Sequence, residues 1–380
     1  MFSIFKTFFG LGWISFGGPA AHIGYFRNAF VEKRQWLTDE EYAQIVALSQ
    51  FLPGPGSSQV GFAVGYKKGG IAGAIMAFIG FTLPSVLIML ALAVLSSQFT
   101  EASVFQNIIH GLKLLAVVVV ADATWGMYKS FCKDKFTIFL CALTAVSLLL
   151  APSIWTQIVV LLFAAAVGGQ FLAKETEASF DRSQLSYKPL LAFLLLLLGL
   201  PVIANFSEVI KLFSEFFQAG SLVFGGGHVV LPLLQNIVGD QLNQDAFLTG
   251  YAAAQAVPGP MFTFATYIGY ELLPQAPMVG ALIATIAVFL PGFLLLLGVL
   301  KNWQALAKLP KVSGAVNGVN AAVVGLLLSA LYSPVFTSAV YSPVDMALVV
   351  AGFYLLKQRK LPIVYLVLFF AVAGLSYGLM

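Results

Sequence analysis

Two short segments carry the residues best suited to hold a ligand. Gln50, Pro53, Gly54 and Pro55, followed by Ser57, Ser58 and Gln59, recur in altered form as Gln255, Pro258, Gly259 and Pro260, followed by Thr263. Upstream of each stands a glycine-rich segment that leads to a histidine: Gly17-Gly18-Pro19 with His22, and Gly225-Gly226-Gly227 with His228. Proline in the first turn of a helix loses nothing, because the first N–H groups have no intrahelical partner. A helix restarting after Gly54-Pro55-Gly56 therefore aims free amides and a partial positive charge at the break, and Ser57, Ser58 and Gln59 add side-chain donors. That is chemistry for a tetrahedral oxyanion. His22 and His228 can donate to an anion or exchange protons near neutral pH. Arg27, on the same half-helix as His22, supplies a fixed positive charge. Plainer readings exist: Pro-Gly-Pro can merely kink a helix, the histidines can be polar packing residues, and Arg27 can extend to lipid headgroups. The recurrence of glutamine, proline, glycine and proline at one spacing argues against a mere kink, which does not need the same amide twice.

Other chemistries find less support. Ser57 with His22 has the composition of a serine hydrolase pair, but Gly56-Ser57-Ser58 is not the Gly-x-Ser-x-Gly elbow and the second copy has no equivalent nucleophile. Cys132 and Cys141 fit no zinc spacing, and no nucleotide-binding loop or carboxylate pair is present, so no enzyme activity, metal or cofactor is expected. The net charge of +4 contains no long basic run to follow a nucleic acid backbone.

The elements that position these segments must be membrane helices. Charged residues are 9% of the 380 positions, against roughly a quarter in a soluble domain, so a water-facing surface cannot be built. Stretch 1–13, with its single Lys6, superficially imitates a signal peptide, but its basic region is weak and the glycine-rich segment that follows has a near-copy deep in the chain. Uncharged apolar runs place spans at 69–98, 136–173 with a break at Pro152, 189–204, 278–300, 312–332 and 361–380, with further crossings near 104–128 and 342–356. A third landmark, Phe81-Thr82-Leu83-Pro84 against Val288-Phe289-Leu290-Pro291, completes an internal duplication. The stretches 38–51 and 57–66 are each too short to span, leaving either one broken helix or a re-entrant hairpin. Lys33-Arg34 and Lys67-Lys68 flank the first pair of segments, whereas Asp240, Asp245 and Glu271 flank the second. By the positive-inside rule the first hairpin enters from the cytoplasm and the second from outside.

The expectation is therefore an all-α integral membrane protein of two inverted-topology repeats with Gly/Pro-broken re-entrant half-helices, about nine full spans plus four short hairpins. The transporter repeats are 1–173 and 206–380, joined by a hydrophilic cytoplasmic linker at 174–188 and an inverting span at 189–205. Lys113 and Asp122 fall within a predicted span, where ionisable groups are functional by default, and Asn320 takes the place of Lys113 in the second half. These three are coupling candidates, with Asp122 able to pair with Lys113.

At these residues the sequence resembles the chromate ion transporter family. The likeness is carried by Gly17-Gly18-Pro19-Ala20-Ala21-His22-Ile23-Gly24-Tyr25-Phe26, by 30–37, by Gln50-Phe51-Leu52-Pro53-Gly54-Pro55 and Ser58-Gln59-Val60-Gly61, by Gly80-Phe81-Thr82-Leu83-Pro84-Ser85, and in the second half by Phe224-Gly225-Gly226-Gly227-His228 and Val257-Pro258-Gly259-Pro260. It covers essentially the whole chain in the long two-domain form. The resemblance implies export of chromate across the cytoplasmic membrane of a prokaryote, driven by the proton-motive force and giving chromate resistance, with sulfate as a structural analogue. The partners implied are the oxyanion and the lipid bilayer, with room for a homodimer. The residues themselves leave open which small oxyanion is carried, and whether by a carrier or a passive channel. The second half lacks counterparts of Arg27, Lys33 and Arg34, which points to one dominant site.

Overall fold

The computed structural model describes residues 1–16, 18–99, 103–173, 186–224, 229–238, 241–300 and 309–377, and every element among them is helical. Gly17, Gly225, Gly226, Gly227, His228 and most of the 174–188 linker lie outside the described residues. The helices are α1 (Phe2–Ile14), α2 (Gly18–Arg27), α3 (Asp39–Phe51), α4 (Gly56–Phe99), α5 (Ser103–Phe131), α6 (Lys135–Leu150), α7 (Ile154–Phe171) and α8 (Tyr187–Ile203). They continue as α9 (Glu208–Ser221), α10 (Val230–Val238), α11 (Gln244–Ala256), α12 (Phe264–Leu272), α13 (Pro277–Val299), α14 (Pro310–Ala330), α15 (Pro343–Lys357) and α16 (Ile363–Tyr377). Five helices among the described residues are long and apolar enough to cross a membrane, and α1, α6, α7 and α16 are shorter apolar helices.

Local chemistry sets the ends that matter. Thr38 opens α3 with a capping box, its hydroxyl accepting from the Glu41 N–H while Glu41 Oε2 accepts from the Thr38 N–H at 3.0 Å. Pro53 then blocks continuation, and α4 restarts at Gly56. α4 is two arms: an added Cβ at Gly65 would lie 2.5 Å from the Gly73 carbonyl and 2.6 Å from Ala77 Cβ, contacts that a straight helix of 1.5 Å per residue could not bring together. The chain folds back at Gly69 and Gly70. The second half repeats the device with a four-residue turn between α12 and α13, where Gly269 lies against Gly280.

The short segments form antiparallel hairpins. Lys67 Nζ reaches Glu41 Oε1 at 2.8 Å, tying the first residues of α3 to the last of α4's first arm, so the two run side by side with Pro53-Gly54-Pro55 at the tip. That contact pairs the two segments as a hairpin. α11 and α12 pair likewise around Pro258-Gly259-Pro260, with Tyr251 against Phe264 at 5.7 Å between ring centroids. α1 and α2 close similarly, Phe8 packing on Phe26 and Phe30.

The long helices cross between halves. α14 lies along α6 and α7, while α5 lies along α15 and α16. These seams are built on glycine, which lets backbones touch. Gly111 abuts the Phe370 carbonyl and Gly374 that of Asn107; at the corresponding places Gly318 abuts the Ala164 carbonyl and Gly168 that of Gly314. Lys129, Lys133, Lys135, Lys311, Lys357, Arg359 and Lys360 consequently gather at one end of the bundle, and the α6–α7 turn, the end of α14 and the start of α15 at the other.

Candidate functional site

The first tip is polar and incompletely bonded. Gly54 sits at φ +122°, in the region open to glycine, and an added Cβ would lie 2.9 Å from Gly292 Cα of α13. Its N–H donates to the Val223 carbonyl of the second half at 2.7 Å. Gln59 Nε2 donates to the Pro53 carbonyl at 2.9 Å and to the Gly292 carbonyl at 3.1 Å, locking the tip to α13. Fully buried His22 joins α2 to this tip: Nε2 lies 3.0 Å from the Ser15 carbonyl and Nδ1 3.1 Å from Ser57 Oγ. A carbonyl only accepts, so Nε2 carries the proton, and in the neutral ring Nδ1 accepts from the Ser57 hydroxyl. Ser58 Oγ and Gln59 Oε1 of this tip are buried without a protein partner, and so are Ser15 Oγ and Thr82 Oγ1, whose backbone segments meet His22 on one side and the Gly259 tip on the other. Buried polar atoms are rarely left so, and a group of them marks where a ligand or water belongs. The hydroxyls of Ser15, Ser58 and Thr82 can donate to an anion, as can the first-turn amides of α4.

The second tip has the same backbone and different side chains. Gly259 sits at φ +99°, and its N–H donates to the Ser15 carbonyl at 2.8 Å, the mirror of the Gly54 to Val223 bond. An added Cβ would lie 2.8 Å from Ser85 Oγ, and Ser85 holds in the first half the place Gly292 holds in the second. Here, however, Thr263 Oγ1 already donates to the Pro260 carbonyl at 2.8 Å, Gln255 Nε2 donates to Met261 Sδ at 2.9 Å, and Phe262 and Phe264 are buried apolar groups.

Several predicted residues fall elsewhere. Arg27 is exposed and held by Asp39 and Glu32, so its charge is neutralised away from the first tip. Gln50 is exposed, unlike its counterpart Gln255, which lines a cavity of about 290 Å³ together with Gly18, Asp122 and Gly259. Pro19 is half-buried in the first turn of α2, and Pro55, Pro258 and Pro260 are buried at the tips. Asp122 is bonded by Lys357, not by Lys113, because α15 lies against that part of α5. Lys113 is buried and bonded to Asp245 of α11. Asn320 is buried with Oδ1 unpartnered. His110, whose Nε2 lies 2.7 Å from the buried carboxylate of Asp345, is a structural partner of the α15 cap. Sequence reasoning missed Ser15, Thr82, Ser85 and Gly292. A signal for three of them existed, since Thr82, Ser85 and Gly292 flank the repeated prolines Pro84 and Pro291.

The model for chromate transporters matches residues 2–169 and again 210–375. The chain belongs to the chromate transporter family. It is 30% identical over 93% of its length to a chromate transport protein of Cupriavidus metallidurans, of which it covers 87%. An uncharacterized transporter of Methanocaldococcus jannaschii is 29% identical over 86% of the chain and 82% of that protein. A probable chromate transport protein of Synechococcus elongatus is 29% identical over the same shares. No solved structure matches the chain. Membership and the apolar helices make this a multi-pass membrane protein of a transporter family, not an enzyme.

Proposed function

We propose that the chain is a secondary transporter that exports chromate from the cytoplasm by alternating access, with the oxyanion held at the first tip between the two halves. The observation that carries this reading is the reciprocal bonding of the tips, Gly54 N–H to Val223 and Gly259 N–H to Ser15, beside unpartnered Ser15, Ser58 and Thr82 hydroxyls. Broken helices meeting in the interior are the construction by which secondary transporters replace the hydration shell of an ion. Non-helical backbone is tolerated at that depth only inside protein or beside a polar cavity.

The halves act as inverted repeats at 1–173 and 206–380, with α8 as the odd crossing, the four hairpins re-entrant, and nine helices or helix arms spanning. The opposed directions of α5 and α14 relative to the lysine-rich end support this topology, and that end's excess of basic residues supports a cytoplasmic orientation for it, with the chain in the inner membrane of a prokaryotic cell. The membrane potential, negative inside, favours outward movement of a dianion by about 2.3 kcal/mol per charge per 100 mV, the electrical part of the proton-motive force. Sulfate, of like size and charge, competes for the site.

Purified protein in sealed proteoliposomes tests this. Radiolabelled chromate should accumulate against its gradient when a pH gradient is imposed with the electrical potential clamped, and excess sulfate should slow it. Flux that only equilibrates makes the protein a channel, and absence of saturable flux removes the reading.

A further inference from the structure

The bundle holds two cavities at equivalent places, and they differ in charge. The cavity of about 290 Å³ is lined by Val119 and Asp122 of α5, Gln255 and Gly259 of the second tip, and Leu361 and Pro362 of the α15–α16 turn. The other, of about 200 Å³, is lined by Leu326 and Ser329 of α14, Pro152 of the α6–α7 turn and Gln235 of α10. Leu326 and Ser329 hold the second-half places of Val119 and Asp122, and the α6–α7 turn lies at the opposite end from the α15–α16 turn, so the cavities are counterparts facing opposite ends. At the first, Lys357 bonds Asp122, and Arg359 and Lys360 follow in the same exposed turn. Among the lining residues of the second there is no Lys, Arg, Asp or Glu.

We propose that the charged cavity is an entry site for a small oxyanion, with Lys357 as the recruiting cation and Asp122 as the resident carboxylate that the arriving anion displaces. This rests on the oxyanion-transport reading above. Three cations against one carboxylate focus an attractive field on a cleft whose inner wall is the Gly259 tip. The ion pair is partly exposed, at 38% for the Lys357 side chain and 30% for Asp122, so exchange of one anion for another needs no burial of a bare charge. A dianion is drawn to the ammonium more strongly than a single carboxylate is. The neutral counterpart offers Gln235 and Ser329 but no charge, so it holds the anion weakly and releases it. The two counterpart cavities thus differ in apparent affinity, which favours loading at the lysine-rich end; at the other end the cation of a separate cavity of about 280 Å³, Lys113, is buried and bonded to Asp245, with no further Lys or Arg lining that cavity.

Sealed everted and right-side-out membrane vesicles bearing the full chain separate the faces. Lys357→Gln should raise half-saturating chromate about tenfold when chromate is presented at the lysine-rich end, Asp122→Asn should lower it about threefold, and Lys357→Arg should stay near wild type, with little change from the other face. A merely structural ion pair would make Lys357→Gln and Asp122→Asn fail alike, and that result overturns the proposal. The wild-type chain gives a second readout that needs no variant. Raising salt from 20 to 200 mM, roughly a threefold shortening of the screening length, should raise half-saturation at the lysine-rich end only. Equal salt dependence at both faces overturns the proposal while leaving transport intact, whereas wild-type vesicles without saturable chromate flux overturn the transport reading and this one with it.

Discussion

The two tips share a backbone and differ in almost every side chain that faces inward. Gly54 and Gly259 both have positive φ, both donate their N–H to the opposite half, and both abut the helix turn beside a repeated proline. Yet the first tip brings Ser57, Ser58 and Gln59 where the second has Phe262, Thr263 and Phe264, and Ser15 and Thr82 stand where the second half has Val223 and Phe289. Duplication kept the backbone of both tips, and divergence left the polar side chains proposed to bind the anion in one half. Backbone convergence and side-chain chemistry are therefore separable, and variants can address them independently.

The largest effects should come from the shared backbone. Gly54→Ala and Gly259→Ala should each abolish chromate flux, because a side chain at positive φ costs about 1–2 kcal/mol before any clash with Gly292 or Ser85 is counted. Flux per folded protein and melting in detergent measure both; tolerance at one tip would break the symmetry. Next, His22→Ala should cut flux about tenfold, since the Ser57 hydroxyl loses its buried partner at about 1–3 kcal/mol, while the Ser15 carbonyl keeps the Gly259 N–H. Ser58→Ala and Thr82→Val should raise half-saturating chromate by about fivefold to tenfold without lowering the melting temperature, because neither hydroxyl has a protein partner to lose. Thr263→Val should do the reverse, lowering stability by about 1 kcal/mol through its bond to Pro260 while leaving half-saturation unchanged. Smallest of all, Arg27→Gln should alter flux less than about twofold, as expected of an exposed ion pair.

Much of this was legible in the residues. The apolar runs located the long helices to within a few positions: 278–300 against Pro277–Val299 for α13, and 136–173 with its break at Pro152 against α6 and α7. Proline, glycine and the charge flanks at Lys67-Lys68 marked the first hairpin, which the Glu41–Lys67 contact closes. Partners across the duplication were not legible. Nothing local in Asp122 says that Lys357, 235 residues away, bonds it, or that Asp245 takes Lys113. Nor do the residues around Arg27 say that its charge is shared between Glu32 and Asp39, which only the turn of the chain after α2 brings to it. The shared glutamine of the two copies does not say that Gln255 is buried and Gln50 exposed, since a shared residue type does not imply shared burial.

Equilibrium binding of radiolabelled chromate to the purified chain, comparing Ser58→Ala with Thr263→Ala, tests most directly whether one tip holds the anion. The account predicts a Kd about tenfold weaker for Ser58→Ala and an unchanged Kd for Thr263→Ala. Equal weakening in both, or weakening in Thr263→Ala alone, would contradict it.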